Sequence, residues 1–96
     1  MDPVVRRVID AVLLDGTDDF VLLDSLLWHA RVEAEKESRD YREAVAEVGF
    51  TLVDAGLAVI GDLDDGVVPW AGTAQQVAKR LTSQCEELGW WVVCCW

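Results

Sequence analysis

The side chains of this chain that could bind zinc or form a cysteine–histidine nucleophile pair are one histidine, His29, and three cysteines, Cys85, Cys94 and Cys95. Zinc ligands that share a loop usually lie two to four residues apart, so that both can reach one ion. Cys94 and Cys95 are adjacent, and in a strand they would point to opposite faces. A cysteine–histidine nucleophile pair needs the two side chains in contact, which nothing in the spacing predicts. We therefore expect no metal, no cofactor and no catalytic residues, and predict that the protein is not an enzyme.

The carboxylates of DLDDG, at 62–66, are a residue type that could bind calcium. The spacing does not match a calcium loop, because the glycine lies one position early and Thr73 stands where a bidentate glutamate would be. We interpret the segment as a turn. Its three carboxylates, Asp62, Asp64 and Asp65, are candidates for the polar rim of a surface that binds a basic partner.

The chain is strongly acidic. Its 96 residues include 18 acidic and 8 basic side chains, which gives a formal net charge of −10. Two stretches, 10–24 and 54–65, contain five and four carboxylates and no base. Such a surface repels nucleic acid and anionic membranes and attracts a basic protein. A simpler interpretation is that the charge keeps a small protein in solution.

Length and composition predict one domain over residues 1–96. Apolar residues make up 52% of the chain, well above a disordered composition. The odd number of cysteines does not suit a disulfide framework, and the first residues lack the features of a signal peptide. No stretch reaches the ~18 apolar residues of a membrane span. The reducing cytoplasm is therefore the expected compartment.

Helical periodicity and capping residues predict four helices. In chain order, the predicted N-caps are Asp2; Thr17, Asp18 or Asp19; Ser38; and Thr73. The four helices are predicted to run to about Gly16, Val32, Ala55 and Gly89. Thr73 and Gln76 match a capping box. The charged stretch EAEKES, after the second helix, has no apolar face and is interpreted as a solvated helix end or a loop.

Strand patterns surround the acidic turn. A β-branched-rich segment at 57–60 and a returning segment at 67–70 flank it and predict a hairpin. The closing sequence WWVVCCW, at 90–96, is apolar throughout and is interpreted as a buried strand added to the sheet. The predicted fold class is α+β: a winged-helix-like domain of four helices and a small antiparallel sheet that includes the C-terminal strand.

Winged-helix domains commonly bind DNA, but the charges of this one argue against it. The segment 39–55, which would be the recognition helix, carries a net charge of −2, and the turn of the wing is acidic. DNA affinity comes largely from Lys and Arg that neutralise phosphates. We therefore expect no nucleic-acid binding. The alternative is a winged-helix transcriptional regulator that binds DNA through its minority of basic residues.

Four of the five tryptophans, at 70, 90, 91 and 96, lie in or beside the predicted sheet. They either fill a small core or anchor an interface. Because both faces of the closing strand are apolar, we expect one face to be covered by another molecule. That molecule is a protein partner or a second copy, in a homodimer through the C-terminal strand. The candidate partner-binding residues are Asp62, Asp64, Asp65, Trp70, Trp91 and Trp96.

The segment GDLDDGVVPWAGTAQQVAKRL, from Gly61 to Leu81, resembles a group of small acidic proteins common in actinobacteria. They share a G-D-L turn, a P-W step, a capped helix and a tryptophan-rich final strand, so the resemblance covers roughly residues 40–96. Some of them resemble immunity-type proteins encoded beside secreted toxins. The resemblance implies no catalytic residues. With the charge, it predicts a non-enzymatic acidic protein-binding module, in its most concrete form an inhibitor or immunity protein that neutralises a basic protein.

Overall fold

The fold is α+β, as the sequence predicts, with its elements in a winged-helix-like order. The computed structural model describes residues 2–16, 21–63, 67–83 and 91–95, of which Leu23, Leu63 and 91–95 are described by their backbone alone. The elements in chain order are α1 (Pro3–Asp15), β1 (Val21–Leu22), α2 (Leu23–Lys36), α3 (Tyr41–Asp54), β2 (Ala58–Leu63), β3 (Val67–Pro69), α4 (Ala74–Ser83) and β4 (Trp91–Cys95).

The described strands form one antiparallel sheet in the order β1-β4-β2-β3. The predicted hairpin is confirmed as β2–β3, and the predicted C-terminal strand is confirmed as β4. The sequence predicted a strand added to the sheet; in the structure this strand, β4, lies in the interior of the sheet. Residues of β4 pair with β2 on one side and β1 on the other, so Val92 and Val93 have partners on both edges.

Two of the predicted helix starts are confirmed by hydrogen bonds. The Oδ1 atom of Asp2 accepts the Val4 N–H at 2.8 Å and caps α1. At the start of α4, Thr73 Oγ1 accepts the Gln76 N–H at 3.2 Å, and Gln76 Oε1 accepts the Thr73 N–H at 2.8 Å. Each bond satisfies a backbone donor that the helix itself leaves open.

The predicted N-cap of α3, Ser38, is wrong by two residues. Asp40 is the cap, and its Oδ1 accepts the Arg42 N–H at 3.0 Å. Ser38 lies in the turn before it, with φ at 54°, and its N–H donates to the Glu35 carbonyl at 3.2 Å. Ser38 therefore closes the end of α2 instead of opening α3.

The predicted bounds of α2 are also wrong. Its predicted caps, at 17–19, lie outside the described residues, and α2 begins at Leu23 because Val21 and Leu22 pair with β4. Of the two interpretations of the charged stretch, a solvated helix end or a loop, the structure shows the first: α2 continues to Lys36, with Glu35 and Lys36 exposed. Ala34 packs in the core there, and Glu33 is held by Arg7 at 2.7 Å. Tertiary contacts thus override a local pattern with little apolar character.

The core lies where α3 meets the other elements, since α3 contacts α1, α2, α4 and β2. Its largest fully buried side chains are Leu26, Leu52 and Leu81. Gly49 faces α4, and a Cβ there would lie 2.8 Å from Leu81 Cδ1, so the glycine lets the two helices approach closely. With one face of α2 buried in this core, the opposite face is turned to solvent.

Candidate partner-binding surface

The structure brings together two of the predicted partner-binding residues, Asp62 and Trp70. Trp70 Nε1 donates a hydrogen bond to Asp62 Oδ1 at 3.1 Å. The Trp70 side chain belongs to the core cluster, and only 7% of the residue is exposed. Trp70 therefore presents little surface to a partner, and its visible role is to join the hairpin to the core.

Arg80 of α4 completes this arrangement. Its guanidinium carbon lies 4.0 Å from the centre of the Trp70 ring, and its Nη2 lies 3.9 Å from Asp62 Oδ2. The stacked cation is attracted by the electrons of the indole face, and the carboxylate balances its charge. Asp62, Trp70 and Arg80, which we call the hairpin triad, connect the β2–β3 hairpin to α4.

The other predicted residues are placed in part or not at all. The backbone of Trp91 is the β4 partner of Asp62, so the structure confirms that these two positions are neighbours. Asp64, Asp65 and Trp96 lie outside the described residues. Their assignment to a partner surface, and the homodimer through the C-terminal strand, stay predictions.

A fifth tryptophan, Trp28, is more exposed than Phe50, the other large aromatic side chain that the described chain exposes. It is 62% exposed on the outer face of α2, opposite the buried Leu26, Leu27 and Ala30. Trp28 is not among the partner-binding residues predicted from the sequence. Angular position on the helix was the available signal, because Trp28 falls outside the buried stripe at 26, 27, 30 and 34.

Carboxylates lie on the same face of α2 as Trp28 and at the end of α1 that contacts His29. Asp24 lies one helical turn before it and Glu35 two turns after it on the same helix face. Both are exposed. From α1, Asp15 reaches across to His29, whose Nε2 lies 2.9 Å from Asp15 Oδ2. The His29 ring in turn meets the Trp28 ring edge-on, with centroids 5.1 Å apart.

We call the set Asp15, Asp24, Trp28 and Glu35 the Trp28 surface. It combines an exposed aromatic side chain with carboxylates, which is the composition expected of a surface that binds a basic protein.

The base nearest to Trp28 on the same helix is directed elsewhere. Arg31, one turn after Trp28, stacks on Tyr41 of α3 at 4.7 Å from the ring centre. It also donates a hydrogen bond to the Tyr41 hydroxyl at 3.3 Å. These contacts hold Arg31 against α3. Arg31 therefore does not pair with the carboxylates of the Trp28 surface.

Several other bases are engaged inside the molecule. Arg7 pairs with Glu33 and Glu37, while Arg39 pairs with Asp2 and, at 3.6 Å, with Glu47. Within the described ranges, some carboxylates make no ion pair: Asp10, Asp24, Glu35, Glu43 and Asp54. The negative charge left over is therefore available to a partner.

A groove of about 450 Å³ runs between α1, α3 and α4. Its walls are largely apolar, with Val5, Phe50 and Ala78 among the lining residues. The two carboxylates in the lining, Asp2 and Glu47, are those paired with Arg39. Because these carboxylates already have a counter-charge, the groove does not resemble an acid–base site.

Two further findings concern the described part of the chain. None of its helices has the length and apolar character needed to cross a membrane. No group of three or more His, Cys, Asp or Glu in these residues could hold a metal ion, and Cys85, Cys94 and Cys95 lie outside the side chains described.

Comparison of the chain with protein-family models, with curated proteins and with solved structures finds no match.

Proposed function

We propose that this protein is a non-enzymatic acidic module that binds a basic protein partner and neutralises it, as an inhibitor or immunity protein does. The observation that carries the proposal is the Trp28 surface. A tryptophan that is 62% exposed lies there among carboxylates of two helices. Tryptophan is enriched among residues that dominate binding energy, and a hydrophobic centre with a charged border is the usual anatomy of an interface.

The charge of the whole chain supports the same function. A net charge of −10 on 96 residues attracts a basic partner over several ångströms and raises the association rate at low salt. The carboxylates then suit the partner's lysines and arginines. Inhibition needs no chemistry from the bound module, because covering a functional surface of the partner is sufficient.

The test begins with identification of partners and is decided on purified proteins. A partner captured with the wild-type chain is purified, and its dissociation constant is measured by calorimetry at low and physiological salt. We expect a basic protein whose affinity falls as salt rises. Trp28→Ser should weaken binding about 30-fold, corresponding to about 2 kcal/mol for an interface anchor.

Val68→Ser is the matched control. Val68 is 49% exposed on β3, and the strand order puts β3 at the opposite edge of the sheet from β1 and α2. This substitution should leave the affinity within about twofold. Loss of affinity in Val68→Ser alone would move the interface to the hairpin, near the site predicted from the sequence. An acidic partner, or binding that salt does not weaken, would contradict the proposed function.

A further inference from the structure

The hairpin triad shows how this chain holds a guanidinium within its own fold. Arg80 stacks on the Trp70 indole at 4.0 Å, and Asp62 both accepts the indole N–H and lies 3.9 Å from the guanidinium. The indole ring attracts the guanidinium cation, and the Asp62 carboxylate balances the positive charge of that cation.

The Trp28 surface offers an aromatic ring and carboxylates without the cation. Trp28 exposes most of its side chain, and Asp24 lies one helical turn away. Among the described residues, the arginines that stack on an aromatic ring do so on Tyr41 and Trp70. Arg31, which could have folded back on Trp28, is hydrogen-bonded to Tyr41.

We propose that the Trp28 surface binds an arginine side chain of the partner, with the guanidinium stacked on the Trp28 indole and paired with Asp24. This inference rests on the proposed function and names the group that the surface recognises. Arginine suits the site better than lysine because its planar guanidinium can stack on a ring while its N–H groups donate to a carboxylate. A lysine ammonium is a compact, strongly hydrated point charge that does not stack in this way.

The test uses short peptides as probes. A capped tetra-arginine peptide is compared with the same peptide carrying citrulline at each position, which keeps the shape but removes the charge, and with tetra-lysine. Binding is followed by NMR on the backbone amide signals of ¹⁵N-labelled protein, which every variant retains, and on the indole N–H signals, with the Trp28 signal assigned from Trp28→Phe. We expect tetra-arginine to move the Trp28 signal saturably, tetra-lysine to bind at least about threefold more weakly, and the citrulline peptide to produce no shift.

Two variants separate stacking from general charge. Trp28→Leu keeps an apolar side chain and all charges but removes the ring, while Trp28→Phe keeps a ring. Tetra-arginine should bind Trp28→Leu at least about threefold more weakly than the wild type. Its affinity for Trp28→Phe should lie between these two. Asp24→Asn should also weaken binding, and Asp54→Asn, which removes the same charge from the end of α3, should do so less. Backbone NMR spectra check that each variant is folded.

Failure of this inference is distinct from failure of the proposed function. Equal affinity of tetra-arginine for the wild type and Trp28→Leu would overturn arginine stacking and leave a surface that acts by charge alone. Equal binding of the citrulline peptide would overturn it in favour of an uncharged ligand. Absence of any shift with tetra-arginine at low salt would overturn it as well. In each case the proposed function is tested separately, by measuring the binding of the purified basic protein.

Discussion

Glu33 is the carboxylate on which two bases converge. It accepts hydrogen bonds from Arg7 Nε at 2.7 Å and from Lys36 Nζ at 3.2 Å. Burial by itself raises the pKa of the Glu33 carboxyl, but hydrogen bonds from Lys36 and Arg7, helped by their charges, outweigh burial and hold that pKa below its ordinary value. The pair Arg7–Glu33 also joins α1 to α2.

This shift gives a pH dependence of defined sign. Because the pKa of Glu33 is lower in the folded than in the unfolded state, its ionised form stabilises the fold above the unfolded pKa. That stability is lost as pH falls through the folded pKa. We expect the Tm to fall as the pH drops below 4.5, the ordinary pKa of a glutamate, and Glu33→Gln to make the fall shallower. Thermal unfolding followed by circular dichroism across this range measures both slopes.

Glu43→Gln is the control for this experiment. Glu43 is exposed on α3 and makes no ion pair with another described residue. Its variant should keep the wild-type slope. Identical slopes for the wild type and Glu33→Gln would show that the ion pairs of Glu33 do not contribute to the acid sensitivity.

At the residue scale, the sequence suggested tryptophans as anchors but not that Trp70 is buried in the core. The burial of Trp70 depends on Asp62 and Arg80, which the hairpin register and the packing of α4 bring to it. The exposure of Trp28 follows from which face of α2 meets the core: helical spacing predicts Leu26, Leu27 and Ala30 as buried, and Trp28 lies outside that stripe.

At the scale of elements, the β2–β3 hairpin depends on a glycine. Gly61 lies opposite Pro69, and a Cβ at this position would lie 2.9 Å from Pro69 Cα and 2.7 Å from the Val68 carbonyl carbon. Backbone atoms cannot move aside as the end of a side chain can. We expect Gly61→Ala to lower the free energy of unfolding by about 2–3 kcal/mol, measured by urea denaturation.

A second glycine serves as the control for Gly61. Gly56, after α3, has φ at 69° and nothing within 4 Å of an added Cβ. Its conformation is left-handed, which asparagine tolerates better than other non-glycine residues. Gly56→Asn should therefore cost about 1 kcal/mol or less. If Gly61→Ala lowered the free energy of unfolding no more than Gly56→Asn does, the two strands would be able to separate at Gly61 without loss of stability.

The elements that the sequence predicted well are those whose signals are local. The Asp2 cap, the Thr73–Gln76 capping box and the hairpin all depend on residues close together in the chain. The predicted start of α2 was wrong because Val21 and Leu22 pair with β4, a strand about 70 residues away. The position of β4 inside the sheet was missed for the same reason: an all-apolar segment does not reveal how many neighbours it has.

At the scale of the whole molecule, the charge distribution bears on the alternative of DNA binding. The exposed residues of α3 include Glu43, Glu47 and Asp54 beside Arg42, and Asp62 lies on the wing. We expect no shift of random duplex DNA at micromolar protein and physiological salt, measured by electrophoretic mobility, because acidic groups on both elements repel phosphates.

Salt-sensitive DNA binding would instead support the transcriptional regulator and count against the acidic inhibitor. In that event Arg42→Glu tests whether α3 carries the contact. Loss of binding in this variant would place the DNA at α3, and unchanged binding would place it at another basic group of the chain.

The interior position of β4 has a consequence for the order of folding. The helices α1 to α3 can pack through contacts close in sequence, whereas β1 and β2 are joined only through β4, with Val21 opposite Val93 and Ile60 opposite Val93 on its other side. Closing loops of this length carries a large entropic cost before any strand contact rewards it, so non-local sheets form slowly. We therefore expect the helical part to assemble first and the sheet to be completed last, when β4 docks between β1 and β2.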